Sequence, residues 1–213
     1  MGLDLVVEGC AKPGHESEWR VLIGRSFSGS DVSEAEIARF REISTPGYQR
    51  VGAPRVGSDA AADEWIINAQ RAQTPEEKAA ALQKYSGYYV LRLLESDGIP
   101  KYSNGGLYHG VDETSFRGEF LRDCENVIDK RMLDTAWGHK LPEAAIEYGR
   151  ALLAAADAAE KSPRDAPRGL LARLGVAKSR EPAPLSEQLD IARAAGRWFI
   201  FWGELGHPIR AYY

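Results

Sequence analysis

The sequence predicts a mainly α protein: a single-domain multi-helix bundle with a short N-terminal β-strand and long Gly/Pro loops. Three observations favour this fold class. The chain has 213 residues, nearer the size of one domain than of two. Its residues are 44% hydrophobic and 27% charged, as in an ordinary globular protein. Apolar residues recur at helical spacing along most of the chain, between signals that start and stop helices.

The first elements are a strand and a helix. Leu3, Leu5 and Val7 alternate with their neighbours and predict a short strand that is buried on one side. After a Pro-Gly turn, residues 15–27 carry apolar side chains at helical spacing and predict a helix. Residues 45–57 contain two prolines and three glycines, so we expect no regular element there.

A capping box predicts where the next helix starts. Ser33 can accept a hydrogen bond from the backbone of Glu36, whose carboxylate can reach back to the backbone of Ser33. This reciprocal pair predicts a helix over 34–43. Such a cap contributes about 1 kcal/mol, enough to fix a boundary.

Thr74-Pro75-Glu76-Glu77 repeats this signal with proline at the first helical position. Apolar spacing then predicts a helix from 75 to 95. Gly87 lies inside this pattern, and residues 88–94 alone would also fit a strand.

Apolar stripes predict four more helices, at residues 59–72, 116–137, 142–159 and 185–204. The last one contains Trp198 to Trp202, a run that is apolar on all sides and therefore expected in the core. Residues 161–184 differ in composition and are predicted to be a basic, Pro-rich loop or linker. Six basic residues and one acid lie between Lys161 and Arg180.

Charge and targeting signals narrow the possible partners. The net charge is −4, which argues against nucleic acid or an anionic membrane as a partner. No apolar run approaches the ~20 residues that cross a bilayer, and the N-terminus does not resemble a signal peptide. The two cysteines, Cys10 and Cys124, are far apart and do not indicate a disulfide framework. We therefore expect a cytoplasmic, reduced, acidic protein.

Cys10 and His15 form the first candidate site. They lie close together around a Pro-Gly turn, and a cationic imidazole favours a reactive thiolate. Both are also metal ligands, although no complete ligand motif is present. The alternative is a buried thiol at the end of a strand beside a polar helix start, where Glu16 and Glu18 complement the helix dipole.

A Gly-rich loop before Arg117 is the second candidate. Its polar residues include Ser103, Asn104, Tyr108 and His109. Glycines let the backbone approach a ligand, and an arginine binds a carboxylate or phosphate with two hydrogen bonds. Neither phosphate-loop nor dinucleotide-binding glycine pattern is present. The alternative is an ordered loop whose serine and asparagine only close turns.

The third candidate site is a Pro/Gly-containing loop that carries Tyr48, Arg50 and Arg55 and could contact an acidic ligand. The alternative is that these side chains are solvated or pair with local carboxylates. Two histidines, His139 and His207, follow predicted helix ends, where a protonated ring would interact favourably with the helix dipole. Cys124 lies on an apolar stripe and is expected to be a packed hydrophobic residue.

These observations leave three hypotheses and no recognisable family. The leading one is a module that binds a protein or a small ligand through Gly-rich loops. The second is a hydrolase or transferase for an anionic small molecule, with His109 as acid or base and Arg117 holding the anion. The third is a structural metal site at Cys10 and His15, completed by His207 or His109. No cofactor is predicted, and neither the catalytic residues nor the oligomeric state can be predicted.

Overall fold

The structure is a computed structural model that describes residues 2–90, 114–161 and 183–213. Over these ranges the chain is a mainly helical single domain with two small antiparallel sheets, so the predicted fold class is confirmed. The helices are α1 Glu16–Phe27, α2 Glu34–Glu42, α3 Gly47–Arg50, α4 Ala60–Ala69, α5 Pro75–Tyr85, α6 Lys130–Ala136, α7 Pro142–Lys161 and α8 Leu185–Glu204, with a 3₁₀ helix at Gly118–Asp123. The strands are β1 Asp4–Val7, β2 Cys10–Ala11, β3 Ser44–Thr45, β4 Ser115–Arg117 and β5 Ile209–Tyr212.

The predicted N-terminal strand is β1, the central strand of a three-stranded sheet of order β4-β1-β5. Leu5 lies opposite Phe116 on one side and Ala211 on the other. Leu3 and Leu5 are buried, as the alternating pattern predicts. The sheet therefore joins the two ends of the chain and covers one side of the helical core.

The core is centred on α7 and α8, which pack closely because glycines lie at their contact. A Cβ atom at Gly149 would lie 2.6 Å from the carbonyl oxygen of Gly196, so only hydrogen fits there. Trp198, Phe199 and Trp202 are fully buried beside this contact. The prediction that the aromatic run of α8 belongs to the core is confirmed.

Both capping boxes are present. The Ser33 hydroxyl accepts from the backbone N–H of Glu36, and the carboxylate of Glu36 accepts from the backbone of Ser33. Thr74 and Glu77 make the same pair at the start of α5. These local signals place the helix starts at the predicted residues.

The helix predicted over 75–95 is wrong beyond Tyr85. Gly87 has a φ of 86°, a left-handed conformation that ends the helix. The chain then pairs with residues 54–56, and Tyr89 bridges to Arg55. Tertiary pairing thus overrides the helical spacing. Residues 91–95 lie outside the described residues.

The single helix predicted over 116–137 is also wrong. Phe116 belongs to β4, where it pairs with β1, and the next residues form the 3₁₀ helix. A second start occurs at Asp129, whose carboxylate caps α6 by accepting from the backbone of Met132. The loop over 45–57 is likewise not wholly irregular, because α3 forms one short turn within it.

Two features of the sequence fall partly or wholly outside the described ranges. These are the Gly-rich loop and residues 162–182, which make up most of the predicted basic segment. Within the ranges that the structure describes, no helix combines the length and apolar character needed to span a bilayer.

Candidate functional site

A cleft of about 370 Å³ lies where α1 and α7 begin and where α8 ends. The β2–β3 pair and α3 form its other walls. Its volume is in the range of small-molecule pockets, which begins at about 300 Å³. Trp19, Pro142 and Leu205 give it an apolar lining, and Arg50 stands at its polar side.

Contacts within the N-terminal third of the chain bring several of these cleft residues together. Cys10 and Thr45 are opposite each other in the β2–β3 pair, and both line the cleft. The indole N–H of Trp19 donates to the carbonyl oxygen of Gly9 at 2.9 Å, which ties α1 to this pair. One turn of α3 after β3 then brings Arg50 to the cleft.

The cleft contains two acids and two arginines, and one of these arginines has no partner among the residues that the structure describes. Arg20 forms an ion pair with Glu143 at the start of α7. Glu16 accepts a hydrogen bond from the backbone of Gly14 and complements the first turn of α1. The side chain of Arg50 makes no ion pair or hydrogen bond with any residue in the described parts of the chain. Arg50 is exposed to solvent, so its guanidinium is accessible from outside the protein.

Cys10 is a buried thiol in β2. It is 6% exposed, and burial raises the pKa of the thiol, an effect that the nearby charge of Arg50 partly offsets. His15 does not line the cleft; its ring lies 3.8 Å from the carboxylate of Glu18 at the surface. Of the two residues of this candidate site, the structure places Cys10 in the cleft and His15 outside it.

His207 lies directly behind the cleft and is fully buried. Its Nδ1 atom is 2.7 Å from the carbonyl oxygen of Glu8, which can only accept, so Nδ1 carries the proton of the neutral ring. The Nε2 atom is left without a partner among the described residues. Burial, with a smaller contribution from the nearby charge of Arg50, lowers the pKa of His207 to about 4. His207 is therefore neutral at pH 7, and the favourable interaction that a protonated ring would make with the end of α8 does not arise at that pH.

Most residues of the second candidate site lie in a part of the chain that the structure does not describe. Ser103, Asn104, Tyr108 and His109 lie outside the described residues. Arg117 belongs to β4 rather than to a helix, and its guanidinium lies 3.6 Å from the carboxylate of Asp4. Since Asp4 begins β1 and Cys10 follows its other end, the structure does not bring Arg117 to the cleft.

The three residues of the third candidate site have different surroundings in the structure. The ring of Tyr48 stacks on that of Tyr89, with centroids 4.2 Å apart. Arg55 donates to the carbonyl oxygen of Gly87 at 3.0 Å and covers the ring of Tyr89. These two side chains attach the α4–α5 hairpin to the rest of the protein, whereas Arg50 points to the cleft.

A buried lysine was missed by the sequence analysis. Lys140 is 4% exposed and donates to the carbonyl oxygens of Thr135 at 2.7 Å and Gly138 at 2.8 Å. Burial lowers its pKa to about 8. Because carbonyl groups at the end of α6 satisfy the ammonium group, Lys140 acts as a helix cap. No sequence pattern around it distinguishes it from an exposed lysine.

Two further predictions concern a histidine and a cysteine. His139 accepts at Nδ1 from the backbone N–H of Ala211, and burial lowers its pKa, so the predicted interaction of a charged ring with a helix end is wrong. Cys124 is fully buried, as predicted, and burial raises its pKa to about 12.

The described ranges contain no group of three His, Cys, Asp or Glu side chains that could hold a metal ion.

Comparison with protein-family models, curated proteins and solved structures finds no match to this chain. No resemblance to a known protein therefore assigns a function to the cleft.

Proposed function

We propose that this protein binds a small molecule with a carboxylate or phosphate group, and that Arg50 holds that group in the cleft. The observation that carries the proposal is the guanidinium of Arg50, which lines a ligand-sized cleft and makes no ion pair or hydrogen bond within the described ranges. A guanidinium matches both oxygens of such a group with parallel hydrogen bonds.

The walls of the cleft suit the rest of such a ligand. Trp19, Pro142 and Leu205 offer apolar surface to its body, and Thr45 lies beside them. Glu143 opposes anion binding little because Arg20 neutralises it, and the carboxylate of Glu16 accepts from the backbone N–H of Gly14. A ligand that neutralises Arg50 gains a charge-assisted hydrogen bond at a partly enclosed site.

Two hypotheses drawn from the sequence, the enzyme and the protein-binding form of the leading hypothesis, place the functional residues elsewhere. An enzyme built on His109 and Arg117 would bind its anion beside β4, where Arg117 already faces Asp4. A protein-binding Gly-rich loop would need no anion at all. Both remain predictions, and paired variants of Arg50 and Arg117 distinguish an anion site in the cleft from one beside β4.

The test measures binding of inorganic phosphate and of succinate by calorimetry and by thermal shift. We expect Arg50→Gln to weaken binding of the better probe at least tenfold, about 1.4 kcal/mol. Arg50→Lys should retain part of the affinity, because lysine keeps the positive charge but cannot donate two parallel hydrogen bonds to the anion. Arg117→Gln is the matched control and should bind like the wild type. Equal binding by wild type and Arg50→Gln, or loss only in Arg117→Gln, contradicts the proposal.

A further inference from the structure

Helix α2 is the unusual element of the fold, because none of its residues is buried. Its exposed residues include Glu34, Ile37, Ala38 and Arg41, which follow the i, i+3, i+4, i+7 spacing of one helix face. The side chain of Ile37 is among the few large apolar groups in the described ranges that are exposed, at 42%. We call these four residues the α2 stripe.

A groove lined by both apolar and charged side chains runs beside the α2 stripe; its charged residues include Glu8, Glu36 and Arg210. It has a volume of about 310 Å³ between α1, α2 and the end of β5, and Leu22, Phe40 and Tyr212 line it. Tyr212 is 52% exposed. Ile37 and Arg41 stand at the edge of this groove. A side chain of a partner therefore finds an apolar surface next to the stripe.

The charges at the two ends of the α2 stripe are complementary to each other. Glu34 and Arg41 are seven residues apart, about 10 Å along the helix. Within the described ranges neither side chain makes an ion pair or a hydrogen bond. Two antiparallel copies of α2 would place each Glu34 against the Arg41 of the other copy, with Ile37 near the centre. A parallel arrangement would oppose like charges.

We propose that the partner of the α2 stripe is a second copy of this chain, bound antiparallel about a two-fold axis. Such an interface is self-complementary, so both charge pairs and both Ile37 side chains contribute twice. A helix of nine residues is only about 13 Å long. The interface is therefore smaller than the ~1,600 Å² of a standard one, and the dimer is weak and concentration-dependent.

The test is sedimentation velocity of the full chain over a wide range of concentrations. We expect a reversible monomer–dimer equilibrium that Ile37→Asp weakens at least tenfold. Glu34→Lys and Arg41→Glu should each weaken it about tenfold, since two symmetry-related pairs change sign together. All three side chains are exposed, so circular dichroism of the variants should match the wild type.

Two rescue experiments distinguish this arrangement from other dimers. The double variant Glu34→Lys/Arg41→Glu should dimerise like the wild type, because both pairs are restored with opposite signs. A mixture of the two single variants should form heterodimers about as readily as the wild type dimerises, although each variant alone associates about tenfold more weakly. A wild type that stays monomeric at every concentration, a dimer insensitive to these changes, or a double variant without rescue overturns the proposal.

Discussion

The imidazole Nδ1 of His207 and the carbonyl oxygen of Glu8 are 2.7 Å apart, and this contact joins the segment between α8 and β5 to the residue that follows β1. The ring also packs edge-on against Trp202, with centroids 5.3 Å apart. A neutral ring at this position holds together the two segments that form the back of the cleft.

The protein should lose stability in acid because of His207. Its pKa is lowered by folding from 6.5 to about 4, so between these values the unfolded chain binds a proton that the folded chain does not. The free energy of unfolding therefore falls as the pH falls through this range, by an amount on the order of 3 kcal/mol from this group. Urea unfolding at several pH values measures the effect.

His207→Asn removes the titrating group but keeps an N–H that can donate to Glu8. We expect this variant to lose less stability than the wild type between pH 7 and pH 4. His15→Asn is the control, because His15 lies at the surface, and it should keep the pH dependence of the wild type. Identical curves for wild type and His207→Asn would show that His207 is not the group responsible.

Lys140 should contribute far more to stability than a surface lysine of the same region. Lys140→Met removes the donors to Thr135 and Gly138 and leaves carbonyl groups unpaired, so we expect a loss of about 2–4 kcal/mol. The control is Lys130→Met, which removes only an exposed ion pair with Asp134 and should change stability by less than about 1 kcal/mol. Chemical unfolding of both variants decides the point; losses of equal size would mean that Lys140 is not a cap.

Two glycine-to-alanine substitutions should change the free energy of unfolding in opposite directions. Gly149→Ala places a Cβ 2.6 Å from the carbonyl oxygen of Gly196 and should cost about 2 kcal/mol or more by forcing α7 and α8 apart. Gly24→Ala lies in α1 with nothing within 4 Å and should stabilise the protein by about 0.5–1 kcal/mol. Melting temperatures of the two variants give the comparison. If Gly149→Ala also raised the melting temperature, the close packing of α7 and α8 would be disproved.

Local signals in the sequence predicted much of the fold, and distant contacts account for the errors. The capping boxes at Ser33 and Thr74 act over three residues, so the sequence specifies them directly. Phe116 fits a helical stripe equally well, but pairing with β1, more than a hundred residues away, makes it part of a strand. Tyr89 leaves its predicted helix for the same reason.

The candidate site was less predictable than the fold. Arg50 stands out in the sequence only as one of two arginines on a Pro/Gly-containing loop. Its place in a cleft depends on α7 and α8, which lie more than ninety residues further along the chain. The burial of Lys140 and His207 likewise follows from tertiary packing, so the local sequence carries no sign of it.

Titration of ¹⁵N-labelled protein with inorganic phosphate and with succinate, followed by NMR, tests the binding site most directly. If Arg50 holds the anion, the amide signals of Cys10, Thr45, Arg50 and Gly206 should shift and saturate together with at least one probe. In Arg50→Gln the same signals should stay nearly unmoved. Absence of saturable shifts at these residues with both probes, or equal shifts in the variant, would contradict the assignment of the cleft as an anion site.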